Sequence, residues 1–192
     1  MRRIATTVIA LVGPDASPAV AALGAARNVV GLSPDPDSPD LDRAVEAWRT
    51  AETIHTRFTV HDADPLAAVA AAWAAMYDRQ GVRGDLEVLV AETVARWRAG
   101  SLELPDYYLV LDPHGLHLTP THWYLGVLHS AAPGRVVPVP PATPFERVIG
   151  SLPAGRWWPD LPELLDGIEH IVPDRAGTDV DGATNGPTGL LT

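Results

Sequence analysis

Three features of the sequence predict a doubly wound α/β sheet. Short runs rich in β-branched and apolar residues alternate with longer amphipathic stretches along most of the chain. The amphipathic stretches follow a recurring dipeptide, seen in Ser17-Pro18, Ser38-Pro39, Asp64-Pro65, Thr119-Pro120 and Thr143-Pro144. A Ser, Thr or Asp oxygen can accept from an orphan backbone amide, and proline at the first helical position supplies a fixed φ without losing a needed donor. Most of the short runs are apolar along their whole length, as strands covered on both faces must be.

Taken in order, the strand runs are 6–12, 28–32, 54–61, 107–111 and 135–139. The third alternates, with Ile54, Thr56, Phe58 and Val60 set against His55, Arg57, Thr59 and His61, which predicts a half-exposed strand at a sheet edge. Helical periodicity appears in Leu41, Val45 and Trp48, then in Leu66, Val69, Trp73 and Met76, and later in Trp123, Val127 and Leu128. A further helix over 85–99 follows the second of these without a strand between, which makes a helical hairpin after strand 3. In it Leu86, Val90, Val94 and Trp97 share a face, Glu92 and Arg96 are spaced for an i,i+4 pair, and Gly100 ends the run. Thr143 and Glu146 have the spacing of a capping box. Asp112-Pro113-His114-Gly115 is turn chemistry that could join strand 4 to a very short strand over 116–118. A C-terminal helix carries Leu161, Leu164, Leu165 and Ile168, and 173–192 is expected to be a disordered tail. Right-handed crossovers between such strands place helices on both faces of a mostly parallel, five-stranded Rossmann-like or flavodoxin-like sheet, one domain spanning 1–172.

Composition removes several kinds of chemistry. Without cysteine there is no thiol nucleophile, Cys-ligated zinc or iron–sulfur cluster, and without lysine there is no P-loop lysine or Schiff base. The 14 basic residues, all arginine, are outnumbered by 24 acidic ones, and the net charge of −10 gives no footprint for direct nucleic-acid binding. No apolar stretch approaches the roughly 20 residues that cross a bilayer. The start, Met1-Arg2-Arg3 before an apolar run, has something of a secretory signal, but Thr6-Thr7-Val8-Ile9 suits a buried strand better, and the expected location is cytoplasmic.

In an open parallel sheet ligands bind beyond the carboxyl ends of the strands, where the strand order reverses. The loops nominated by that rule hold Gly13, Asp15 and Ser17 after strand 1, Asp62 and Asp64 after strand 3, and Asp112, His117, Thr119 and His122 after strand 4. One glycine is too few for a dinucleotide fingerprint, whereas a helix start at Ser17 can receive an anion or simply be capped by it. Asp15, Asp62, Asp64 and Asp112 could jointly hold Mg²⁺ if the strand ends bring them together. The histidines match no zinc signature, no Gly-x-Ser-x-Gly elbow occurs, and no catalytic constellation is recognisable, so a non-enzymatic role is expected. Trp48, Trp73, Trp97 and Trp123 lie on apolar stripes and read as core anchors, while Trp157-Trp158 cannot both face one way and could offer one ring to a partner.

The first expectation is therefore a ligand-binding or regulatory module for a small anionic or nucleotide-type molecule at the strand-end crevice, with a homodimer as a natural assembly. The alternatives are an interaction subunit of a larger assembly, docking through a Trp157 or Trp158 surface or the Ala-rich helix after Pro65, and a Mg²⁺-dependent phosphohydrolase or nuclease.

Overall fold

The computed structural model describes residues 4–173, the side chain of Glu146 excepted. The signal-like start, the tail and the capping box all involve residues outside this set. Five strands, β1 (Thr7–Val12), β2 (Val29–Leu32), β3 (Phe58–His61), β4 (Tyr107–Leu111) and β5 (Val136–Val139), form one all-parallel sheet in the order β2-β3-β1-β4-β5. The α/β class is as expected. Relative to the Rossmann order β2 and β3 exchange places, while β1 stays central.

The order decides where the helices go. From β1 the chain moves two places to reach edge strand β2, and every later connection moves the opposite way. Right-handed crossovers then send α1 (Ala16–Leu23) to one face, and α2 (Asp40–Ala51), α3 (Ala67–Tyr77), α4 (Arg83–Arg98) and α5 (Leu118–His122) to the other. Packing agrees. Ile9 and Leu11 of β1 meet Val20 and Leu23 of α1 and Ile149 of α7 (Phe145–Gly150), whereas Ala10 and Val12 join Leu66, Trp73, Tyr108 and Trp123. Trp48 and Ala51 of α2 lie under Val8. The segment after α5 runs on without a break through a π-helical turn, Trp123–Leu128, into α6 (His129–Ala131).

Several local expectations are corrected. β3 covers only 58–61 and lies inside the sheet between β2 and β1, with Thr59 and His61 buried, because 54–57 is loop and its alternation is no strand signal. After β4 the chain forms a 3₁₀ turn, Pro113–Gly115, and then α5, so 116–118 adds no strand. Arg96 pairs with Asp42 of α2 at 3.2 Å rather than with Glu92. The Ala-rich helix α3 turns Val69, Ala70, Trp73 and Ala74 into the core and leaves Ala71 exposed on its other face. The Ser/Thr/Asp-Pro dipeptides do mark helix starts to within two residues, but none of their side chains caps a helix; Asp64 instead closes the turn just before α3, accepting from the Leu66 amide at 2.8 Å.

The segment carrying α8 (Leu161–Leu165) and the 3₁₀ turn Ile168–His170 closes the α3 side of the core. Aromatic side chains hold it by donating to backbone carbonyls: Trp73 Nε1 to Ile168 at 3.0 Å, Tyr77 Oη to Glu169 at 2.8 Å and Trp158 Nε1 to Pro105 at 2.7 Å. Each such bond also orders a ring that buries large apolar area. Trp73→Phe should therefore lower stability by about 1–3 kcal/mol through the lost donor, and Trp73→Ala by about 3–5 kcal/mol through the cavity. Urea unfolding measures both, and a smaller loss in the alanine variant than in the phenylalanine one would contradict this packing.

Candidate functional site

The strand order reverses between β1 and β4, since the connection after β1 leaves toward β2 and that after β4 leaves toward β5. Both turns there are conformationally constrained. Gly13 has φ +108°, and a Cβ on it would run into the Leu111 carbonyl of the neighbouring strand end. Asp15 at φ 60° and Asp112 at φ 39° are non-glycine residues held in the left-handed region, which costs on the order of 1–3 kcal/mol each. Asp112 folds back over its own turn: the Gly115 amide donates to its carbonyl at 2.9 Å, and a Cβ on Gly115 would lie 2.6 Å from Asp112 Oδ2.

Between these turns and the loop after β5 opens a cleft of about 430 Å³. Asp15 and Asp112 line it with Pro14, Pro18, Val139, Pro140 and Phe145. Its wall is apolar, and the charges among its lining residues are the two carboxylates. Of the nominated residues, Asp15 and Asp112 line the cleft, and Gly13 allows the close approach that shapes it.

Ser17 and Asp62 belong to a different knot, above the end of β3. Ser17 Oγ donates to Asp62 Oδ2 and so does not cap α1, whose first residue is Ala16. Arg43 Nη2 donates to Asp62 Oδ1 at 3.0 Å, so this one carboxylate links α1 and α2, which lie on opposite faces of the sheet. Next to it in sequence, His61 is 3% exposed. Its Nδ1 and Arg43 Nε are buried with no partner among the described residues. Arg43 escaped sequence reasoning, although a cation in the first turns of a helix, where the dipole disfavours it, is a signal that it serves a neighbour.

Asp64 forms a third group. Its Oδ1 accepts from the Leu66 amide and from Tyr108 Oη, each at 2.8 Å, and its Oδ2 accepts from Tyr124 Oη at 2.7 Å. Burial raises its carboxyl above the ordinary range against the pull of those three donors. Burial and the adjacent carboxylate raise both tyrosines well above theirs. This is a buried structural tie between β3, β4 and the π-helical turn. Tyr108 and Tyr124 carried no sequence signal beyond being apolar-faced aromatics.

The α5 candidates are placed elsewhere again. Thr119 is buried and donates to Asp78 Oδ1 at 2.7 Å, joining α5 to the end of α3. His122 stacks on Trp73 at 6.3 Å and lies over Gly126, where a Cβ would come within 2.8 Å of its Nε2. The His117 side chain is exposed, and its carbonyl accepts from Thr121. Among the described residues no three His, Asp or Glu side chains form a group able to hold a metal ion. The Mg²⁺ cluster of Asp15, Asp62, Asp64 and Asp112 thus lacks its geometry, because Asp62 is engaged by Arg43 and Ser17 and Asp64 by two tyrosines. Trp158 is buried, while half-buried Trp157 carries the Arg135 guanidinium 4.0 Å from its ring centre.

Burial lowers the His61 imidazole from 6.5 to about 4, over the opposing attraction of Asp62. The unfolded chain then binds more protons than the folded one between those values, so this group's contribution to stability is complete above 6.5 and is lost as the pH falls toward 4. The raised Asp64 carboxyl works in the opposite sense, strengthening the fold on acidification. Comparison with His61→Asn, which keeps Asp64, separates the two. Between pH 7 and 4 the native chain should lose roughly 3 kcal/mol more than that variant in urea unfolding. Parallel pH profiles would show that His61 is not held neutral.

Comparison of the chain with known protein families, with curated proteins and with solved structures finds no match to any of them.

Proposed function

We propose that this chain is a small-molecule binding module whose cleft at the β1/β4 reversal takes a ligand of nucleoside type, a flat apolar ring joined to a hydroxyl-bearing or amino-bearing part. One observation carries the reading: the carboxyl ends of three adjacent parallel strands meet around a cleft walled by prolines, Val139 and Phe145 and bearing Asp15 and Asp112. Its volume of about 430 Å³ falls in the range of small-ligand sites. Proline and phenylalanine faces suit a planar ring. Carboxylates accept from hydroxyl and amino groups, as an acidic residue does toward ribose in dinucleotide sites.

The same carboxylates repel a phosphate, so this reading drops the anionic ligand expected from the sequence and keeps the nucleoside part of a nucleotide-type one. The left-handed backbone at Asp15 and Asp112 sets the course of the two turns before the ligand arrives, so less backbone ordering entropy is lost on binding. A regulatory use of such binding needs no reacting group in the cleft.

Isothermal titration and thermal-shift measurements with the four ribonucleosides and their 5′-monophosphates test this. At least one nucleoside should raise the melting temperature and bind about tenfold or more tightly than its monophosphate. Asp112→Asn and Phe145→Ala should each weaken it by about tenfold, with the far-ultraviolet spectrum unchanged. Tighter binding of the monophosphates, or affinities indifferent to both substitutions, would defeat the proposal, as would no binding across the panel.

A further inference from the structure

The two carboxylates of the cleft differ from the other acids at the strand ends in having no donor. Asp62 is taken up by Ser17 and Arg43, and Asp64 by an amide and two tyrosines. Among the described residues no group donates to the side chain of Asp15 or Asp112, and no arginine or histidine lines the cleft with them. Asp112 lies beside the turn that carries Asp15, since a Cβ on Gly115 would stand 2.6 Å from Asp112 Oδ2 and 3.3 Å from Pro14 Cγ.

Positive potential reaches the cleft from the start of α1, which lines it through Pro18 and Ala19. A helix start is equivalent to roughly half an elementary charge, and α7, with six residues, adds less. Two full negative charges outweigh both and leave the cleft negative by about one charge or more. A neutral ligand that fills it strips water from two carboxylates without neutralising either, and unpaired charge is costly to desolvate. An ammonium group offsets that cost, because it brings an opposite charge and three donors to acceptors that lack them.

We propose that the cleft selects cationic nucleosides, with an ammonium group on the sugar seated against Asp15 and Asp112. The inference rests on the nucleoside reading above and adds to it the sign of the ligand's charge. Ring and cation are held by different walls: the acids come from the turns after β1 and β4, whereas Val139, Pro140 and Phe145 come from the end of β5 and the segment that follows it. The net charge of −10 adds a long-range attraction for a ligand of the same sign as the ammonium.

The four ribonucleosides and their 5′-amino-5′-deoxy derivatives, compared by isothermal titration at neutral pH in low and high salt, test that sign. At least one amine should bind about tenfold or more tightly than its parent, and the advantage should shrink as salt rises. Asp15→Asn and Asp112→Asn should each weaken the amine more than the parent. Asparagine tolerates the left-handed region, so both turns keep their course, and an unchanged far-ultraviolet spectrum checks this. Glu46→Gln, which removes an exposed charge on α2 outside the cleft, should leave the advantage in place. Parent nucleosides that bind as tightly as their amines would overturn this inference and leave the nucleoside reading standing. An advantage that survives both asparagine variants, or that falls equally with Glu46→Gln, would overturn it as well, because the attraction would then come from net charge alone. No binding by any parent or amine would remove both.

Discussion

Burial of β1 on both faces is the constraint from which the rest of the architecture follows. Val8, Ile9, Ala10, Leu11 and Val12 are all within the core, and alternate residues serve opposite layers. A central strand with two covered faces needs helices on both sides, and right-handed connections supply them only if the chain leaves β1 in one direction and passes back over it later. That double passage separates the loop after β1 from the loop after β4, and the cleft opens where they part. The site is thus a by-product of how the core is covered, and its position follows from topology rather than from any residue that lines it.

Three polar groups hold the rim together in different ways. Asp62 links α1 to α2 across the top of the sheet, Asp64 links β3 to β4 and the π-helical turn, and Thr119 links α5 to the end of α3. Their bonds are internal, so these side chains are structural ties. Asp15 and Asp112 differ because they are held in the left-handed region beside open volume. Loop carboxylates of similar sequence appearance therefore divide into ties and acceptors, and what divides them is whether a neighbouring element supplies a donor.

The candidate site was only partly legible in the sequence. Asp15 and Asp112 were found because fold class alone places ligands beyond the carboxyl ends of parallel strands. Phe145 and the prolines after β5 carry no such signal, since nothing in a loop sequence says that it leans toward a strand two positions away in the sheet. Alternation in the sequence puts His61 on the open side of an edge strand, yet it is buried, because β3 is inserted between β2 and β1 and both of its faces are covered. Glu92 and Arg96 had the right helical spacing, but Asp42 from α2 gave Arg96 a different partner. Short-range spacing cannot foresee a long-range competitor.

Hydrophobic period and proline placement were enough to determine the α/β class, the alternation of elements and the helical hairpin between β3 and β4, because those signals act over a few residues and need no knowledge of neighbours. Strand order, the burial of β3 and the division of the aspartates were decided by tertiary structure. Each of these depends on which segments distant in sequence lie side by side, and that is settled by the joint packing of both faces of the sheet rather than by any local preference.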